Sequence, residues 1–576
     1  MTPPISWNQY RAAQEPLPAD NLTWPFAGQG LAGVGVDGAP VAESMPTCGP
    51  DEILVRMDAV GICSSDAKMV RLGNGYPLFH GRDLGAQPAQ LGHEVAMTVV
   101  AAGARWAADY RPGLRLGIQP DIFVDGVRSC FGVTLPGGLT RYLTLGPAIL
   151  AGDHGSYVFP VPAAMSDAAV ALLEPWACVE AAYVARRRLA PKAGGTLWIW
   201  GRPGDTTKYG VSVPWTSASA VVTDIPPALE DDLRAQVGTV ATLPTAAARA
   251  RRYDDIILLD PRDDDVIRAA AAQLAPEGTL TIVSPQARGL RAPLDAGRIH
   301  YEFIGVMGCA GPDIAAAWGP ARNRSDVRAG GVLLIAGAGG PMGRMHLQRA
   351  LQMSAGPRTV IVTNRGRARL QSLLDDFAPQ AAAQGRRLIG LSPADEPGRL
   401  ATTVAAATGG RGCDDIVVMA PDLDLMQEAL AHLAPDGMLA LFAGVPPGNC
   451  LYVPVDHITR HGLQVTGTSG SSLADQHAII AKTAAGELAP DRIVAAVGGL
   501  RAAREAIAAV ANKRFAGKIV IYPQLVDLPL LSLDAVAARR PAVAAALGAD
   551  RAWNAAAERA LLTAELGLRT EPGGVA

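Results

Sequence analysis

The stretch GGVLLIAGAGGPMGRMH, residues 330–346, decides how this chain is read. The apolar run from Val332 to Ala336 suits a buried strand. It ends in Gly337, Gly339, Gly340 and Gly343, with Pro341 and Met342 between the last two, and a helical pattern follows. Glycines at such a turn let the backbone approach a pyrophosphate, and the following helix offers unsatisfied N–H groups to its charge. The spacing is GxxGxxG, because Met342 takes the place of the last glycine of a strict GxGxxG. A second apolar run, RTVIVT at 358–363, comes next and ends in Asn364, Arg365 and Arg367. NAD binders usually place an acid there for the ribose 2′-hydroxyl. A neutral residue followed by arginines suits a 2′-phosphate, so NADP(H) is expected over NAD(H). The plain alternative is that these arginines are solvated surface charges.

The same passage occurs earlier in altered form. GGTLWIWGRPGDTTKYG, residues 194–210, has the same lead-in, but its loop carries Arg202, Pro203, Asp205 and Lys208. Two further blocks pair in the same order. YDDIILLDPRDDDVIRAAAAQLAPEGTLTIVSP at 253 matches CDDIVVMAPDLDLMQEALAHLAPDGMLALFAGV at 413. APLDAGRIHYEFIGVMGCAG at 292 matches VPVDHITRHGLQVTGTSGSS at 453. We read two tandem Rossmann-like domains, each a doubly wound parallel sheet with helices on both faces. The first keeps an acid, Asp224, but an acidic loop opposes a pyrophosphate, so that copy is expected not to bind a dinucleotide. One reading retains it as an edge-to-edge partner for the second copy, with 300–311 against 462–472 in one continuous sheet, an intrachain pseudo-dimer. The other gives its altered loop a ligand of its own.

Length and composition set the frame. A chain of 576 residues with 49% hydrophobic content and net charge −3 holds about three or four domains. There is no basic run to bind nucleic acid. No apolar segment is long enough to span a membrane, and the N-terminus does not read as a signal peptide. Seven scattered cysteines without a CxxC pair suit a reducing cytoplasm. Residues 20–160 alternate at strand period, as in DEILVRMDAVGIC and EVAMTVVAAGARW. From 164 to 190 the pattern turns helical, and 524–576 reads as a tail of one or two surface helices.

The β-rich part carries a second chemistry. Cys63 in GICSSD, His93 and Glu94 in LGHEV, and Glu174 in LLEPWACVEA supply thiolate, imidazole and carboxylate. Such a mixed set with a position left for water describes a catalytic zinc site. Taken singly, each of these residues has a plain structural explanation.

With GICSSD, GHE, GGLTRY, EPWACVEA, GAGGPMG and AGKIVIYP in this order, the chain resembles the zinc-dependent medium-chain dehydrogenases. The polyol and sugar branch, in particular the L-sorbose-1-phosphate reductase group, is nearest. The resemblance implies a GroES-like β-rich catalytic domain (1–190), the degenerate Rossmann-like domain (191–327), a dinucleotide-binding domain (328–480), a return to the catalytic domain (481–523) and the tail (524–576). It implies that Cys63 and His93 ligate zinc, with Glu94 and Glu174 bound directly or through water. Ser65 would relay the substrate proton, Asp66 would hold the His93 ring, and Cys178 joins the cofactor contacts. Where many relatives have a histidine this chain has Lys68, a relay, a phosphate contact or a surface lysine. Arg71, Arg82 and Arg141 are further candidates for a substrate phosphate. A four-cysteine structural zinc lobe is not expected, because Cys130 is alone between 95 and 160.

The expected activity is hydride transfer between NADP(H) and a polyol, sugar or sugar phosphate, in an enzyme that could pair further as a homo-oligomer. Competing readings are a zinc-free reductase of the same superfamily and a catalytically silent NADP(H)-binding assembly protein.

Overall fold

A computed structural model describes residues 5–548 and 551–569. The chain forms two compact units, 1–177 with 471–576, and 178–470.

In the first unit an eight-stranded sheet runs Val158–Pro160, Arg115–Ile118, Glu94–Ala102, Ile53–Ile62, Lys518–Tyr522, Val494–Gly499 and Leu531–Ser532, with Tyr142–Leu145 also paired to Ile53–Ile62. Ile53–Ile62 is buried along its whole length. The alternation expected of 51–63 is therefore replaced by full burial, since sheet partners and helices cover both faces. Strands from before and after the second unit share this sheet, because Ile519 pairs with Ile62 and Val520 with Gly61.

The single helix expected over 164–190 is two short ones, Asp167–Ala171 and Leu173–Ala181. Pro175 has no N–H to continue the first helix, but is tolerated in the opening turn of the second. The tail also differs from expectation. Leu531–Ser532 joins the sheet, and among the described residues three helices follow, Leu533–Arg539, Pro541–Ala546 and Ala555–Glu565. Trp553 and Glu558 are buried. The Glu558 carboxylate accepts the Ala168 backbone N–H at 2.8 Å, the Asp167 N–H at 2.5 Å and the Tyr522 hydroxyl at 2.8 Å. Burial and the charge of Asp167 push its carboxyl up to about 8. The tail is therefore packed in by an apolar and polar anchor; it is not a surface appendage.

The second unit holds two six-stranded parallel sheets. The first runs Thr239–Thr242, Ser219–Thr223, Thr196–Trp200, Tyr253–Leu259, Leu274–Val283, Gly305–Cys309. The second runs Arg387–Leu391, Thr359–Thr363, Val332–Ala336, Cys413–Val418, Leu433–Leu441, Gln464–Gly467. Strand order is the same in both, and the paired sequence blocks fall on corresponding strands. One hydrophobic core runs through both sheets, from Trp198 and Ile256 to Leu334 and Ile416.

The edge strands Gly305–Cys309 and Gln464–Gly467 do not join into a continuous sheet; each ends its own. Helical segments cover them instead. A Cβ on Gly467 would stand 2.8 Å from the His300 Cα, and one on Gly308 would stand 2.9 Å from the Thr459 side chain. His300 belongs to the Ala296–Tyr301 helix beside the first sheet, and Thr459 to the 457–461 turn beside the second. Each edge is thus closed by a helical segment from the other half, a standard protection of an open edge. The direct ladder between the halves is a separate antiparallel pair, Arg291–Asp295 with Cys450–Pro454.

Candidate metal centre and nucleotide cradle

Two consecutive features of the first unit build the metal centre. Ile53–Ile62 delivers Cys63 to the N-cap of the Ser64–Leu72 helix, where the Cys63 backbone N–H donates to Asp66 Oδ2 at 2.8 Å. The neighbouring antiparallel strand begins at Glu94, which pairs with Gly61. Gly61 leaves room for that carboxylate, since a Cβ would stand 2.1 Å from Glu94 Oε2 and displace it. One ligand atom each of Cys63, His93 and Glu94 lies within 4.8 Å of the others. His93 Nδ1 lies 3.6 Å from Asp66 Oδ1, and its Nε2 lies 3.3 Å from Ser65 Oγ. Glu174 opens the Leu173–Ala181 helix and is half-buried, as is Cys178 on the same helix.

The electrostatics suit a cation. Burial alone would disfavour a charged His93, but Asp66 and Cys63 hold its pKa well above the ordinary value. His93 Nδ1, Asp66 Oδ1 and Glu94 Oε2 are buried with no hydrogen-bond partner among the described residues. The first two face each other at 3.6 Å, so the orphan left to explain is Glu94 Oε2, and a metal ion is one explanation. A thiolate, an imidazole and a carboxylate converging at this distance fit zinc.

One participant was missed by sequence reasoning. Lys518, at the start of the buried KIVIY strand, places Nζ 2.6 Å from Glu94 Oε1, with the two side chains 4% and 0% exposed. Burial opposes its charge, but Glu94, with help from Cys63 and Glu174, more than offsets this and raises the pKa. The available signal was a lysine opening an otherwise apolar strand.

The lobe between 95 and 160 holds no second metal cluster among the described residues. A hairpin, Asp121–Val124 with Val127–Cys130, occupies it. The Cys130 thiol is pushed up to about 12 by burial. Of the candidate phosphate contacts, Lys68 and Arg71 are exposed on the Ser64–Leu72 helix. Arg82 donates to the Gln87 and Pro88 carbonyls, and Arg141 to Gln524 Oε1.

In the second unit the Val332–Ala336 strand turns at Gly337 (φ 86°) into the Pro341–Gln352 helix. The turn is tight. A Cβ on Gly343 would meet the Ala338 backbone at 2.6 Å, and one on Gly339 the Asn364 side chain at 2.5 Å. Gly340 is the N-cap, has no side-chain cap, and faces open space, with nothing within 4 Å of a Cβ. Uncapped N–H groups beside free space suit a phosphate. Asn364 lies on this loop and donates to the Gly366 carbonyl at 2.8 Å. The Arg365 and Arg367 side chains are 80% and 79% exposed and face Asp422 and Asp395.

The corresponding loop of the first sheet is of another kind. Between Trp200 and Ser219 there is no helix. The Asp205 carboxylate turns inward, accepting from Thr207 N at 3.0 Å, Thr207 Oγ1 at 2.7 Å and Tyr209 OH at 3.0 Å. The loop therefore lacks a helix N-terminus for a pyrophosphate, and its acid is not aimed outward as the sequence suggested. Asp224 is exposed at the end of the next strand, with φ 51°.

Comparison with known proteins bears on the same regions. The alcohol dehydrogenase GroES-like domain family matches residues 49–151. Mannitol-1-phosphate 5-dehydrogenase of Aliivibrio fischeri is 32% identical over 247 residues, 41% of this chain and 57% of that protein. L-sorbose 1-phosphate reductase of Klebsiella pneumoniae is 31% identical over 304 residues, 46% of this chain and 71% of that protein. Among solved structures, galactitol-1-phosphate dehydrogenase from Escherichia coli aligns with TM-score 0.48 and 14% identity, covering 87% of this chain and 100% of that one. The chain thus spans little more than half of one curated relative and about seven-tenths of the other. With the GroES-like match and the extended similarity to the sorbose-phosphate reductase, the chain belongs to the medium-chain zinc dehydrogenase family.

Proposed function

We propose that this chain is a zinc-dependent oxidoreductase that exchanges hydride between NADP(H) and the alcohol or ketone of a polyol, sugar or sugar phosphate. The observation that carries the reading is the convergence of Cys63, His93 and Glu94 on one buried point. The names of the two curated relatives, both acting on phosphorylated substrates, support the substrate class. Cys63 and His93 would hold the zinc, with Glu94 and Glu174 as carboxylates reaching it directly or through water. Zinc, when bound, supplies a Lewis acid for the substrate oxygen. Asp66 positions the His93 ring from 3.6 Å. Ser65 would relay the substrate hydroxyl proton on oxidation, accepting it while passing its own hydroxyl proton onward toward solvent, and would run the relay in reverse on reduction, with Lys68 further along the same helix as the next relay or a phosphate contact. The Gly337–Gly343 turn and the uncapped helix after it would hold the pyrophosphate, and Asn364 with Arg365 the 2′-phosphate.

In this reading 191–327 is a scaffold that protects the edge of the cofactor domain as an internal pseudo-dimer partner. A reducing, cytoplasmic setting belongs to the same reading and rests on seven scattered cysteines without a CxxC pair.

The test is zinc content with NADP(H) and NAD(H) titration of wild type, Gly340→Asp and Asp205→Gly. An Asp at position 340 is a good N-cap and meets no neighbour, so the fold is kept while a carboxylate opposes the phosphates. One zinc and one NADP(H) per chain, with binding lost only in Gly340→Asp, is the expected result. Absence of zinc favours a zinc-free reductase. Cofactor binding without turnover on any polyol or ketose favours a silent assembly protein. Two bound dinucleotides overturn the division of labour.

A further inference from the structure

The first sheet of the second unit carries a charge cluster that the proposed reaction does not use. Asp260, at the carboxyl end of the Tyr253–Leu259 strand, is buried and leaves the strand with φ 44°. Three guanidiniums converge on it. Arg202 Nε lies 3.2 Å from Oδ2, Arg262 Nη2 2.6 Å from Oδ2, and Arg288 Nη2 3.0 Å from Oδ1. Arg202 follows the central Thr196–Trp200 strand, Arg262 the Tyr253–Leu259 strand, and Arg288 the Leu274–Val283 strand. These are three adjacent strands, and the cluster sits at their carboxyl ends. The chain order of the strands reverses at Thr196–Trp200, between Ser219–Thr223 and Tyr253–Leu259. In open α/β sheets that is where ligands bind.

The cluster is not neutral. Asp260 and Asp205, the latter 3.4 Å from Arg202, supply two negative charges against three positive ones. Of the three aspartates that follow Arg262, only Asp265 is paired with a cation; the other two keep their charge but accept from backbone N–H groups outside the cluster. Asp263 caps the next helix at Val266 N, Asp264 accepts from Arg291 N, and Asp265 pairs with Arg268. Arg202 Nη1, Arg262 Nε and Nη1, and Arg288 Nη1 donate to no protein group among the described residues. Guanidinium N–H groups in a planar fork match the oxygens of a phosphate. Because no helix follows Trp200, there is no dipole or glycine turn for the second phosphate of a dinucleotide.

We propose that this arginine cluster binds a single phosphate group, held by Arg202, Arg262 and Arg288, with Asp260 as the carboxylate that organises the three side chains. The site is separate from the Gly337–Gly343 turn. Free phosphate and a phosphomonoester share the chemistry.

The experiment is isothermal titration of the full chain at low salt with inorganic phosphate, a hexose 6-phosphate and AMP in turn. Saturable binding is expected in wild type and in Gly340→Asp. Arg262→Gln, at a side chain 46% exposed and so harmless to the fold, should weaken it about tenfold or more. Asp205→Asn removes an opposing charge beside Arg202 while leaving Asp260 to organise the three side chains, and should tighten binding, a change of sign that a purely structural role for the cluster does not give. Tighter binding of the hexose phosphate or AMP than of inorganic phosphate identifies an organic phosphate as the ligand, and equal binding identifies free phosphate. No saturable binding in wild type, binding unchanged in Arg262→Gln, or binding lost in Gly340→Asp overturns the proposal.

Discussion

Lys518→Met probes the metal centre through a residue that is not itself a candidate ligand. Methionine keeps most of the apolar stem and removes the charge. Glu94 then remains as a buried carboxylate close to Cys63, without the ammonium 2.6 Å away. Removing one partner of a buried ion pair costs about 3–5 kcal/mol, most of it from the charge left behind. For a domain of this size 1 kcal/mol corresponds to about 2–4 °C, so the melting temperature of the metal-stripped protein should fall by about 6–20 °C. Zinc returns positive charge to the same point, and the loss should shrink in zinc-loaded protein. The Glu94→Gln, Lys518→Met double variant removes both charges and should regain most of the stability. Calorimetry and urea unfolding of wild type and both variants, with and without zinc, measure all of this. The reasoning is refuted if metal-free Lys518→Met unfolds within about 1 kcal/mol of wild type, or if the double variant is no more stable than the single one.

Two further outcomes are expected in the second unit. Gly343→Ala drives a Cβ into the Ala338 backbone and should cost about 1–3 kcal/mol, whereas Gly340→Ala meets nothing and should stay within about 0.5 kcal/mol; equal melting temperatures would show that the turn is not packed as described. His346, whose Nδ1 lies 2.6 Å from the Tyr183 hydroxyl, is lowered to about 3 by burial and by the charge of Arg349. The unfolded chain therefore takes up a proton below pH 6.5 that the folded one refuses. Stability should fall as pH drops from 6.5 toward 3, by up to about 1.4 kcal/mol per unit from this group, and His346→Gln should lose that part of the slope in urea titrations.

Much of the second unit was legible because parallel strands buried on both faces are written as continuous apolar runs. The runs at 196–200, 253–259, 332–336 and 413–418 fall on strands, with a register shift only at the start of two of them, between Tyr253 and Asp255 and between Cys413 and Asp415. What was hidden is tertiary. The 201–218 segment reads as a damaged glycine turn, but nothing local says that its helix is gone or that Asp205 is satisfied by Thr207 and Tyr209. The edge strands read as natural ladder partners. Their closure by the 296–301 and 457–461 segments depends on glycines 308 and 467, whose small size matters only once the two halves meet. In the metal centre, GICSSD and LGHEV bring together residues about 30 positions apart by strand pairing, so the cluster could be anticipated from motif order. Lys518 could not, since its strand arrives from more than 400 residues further along the chain. The tail was misread because helices rich in alanine and arginine look like solvated ones, and a single buried Glu558 carries no sequence mark.

The first unit is interrupted by the second, and this fixes an order of events during synthesis. Residues 178–470 are continuous, so both parallel sheets can close while the ribosome is still working. The GroES-like unit has its Ile53–Ile62 and Glu94–Ala102 strands early, but their neighbour Lys518–Tyr522 emerges some 400 residues later. Until then Glu94 lacks its ammonium partner and the Ile53–Ile62 edge is open. A nascent chain stalled well after residue 470 should hold a finished nucleotide cradle while its metal centre is still unfinished, and the Glu558 anchor comes later still.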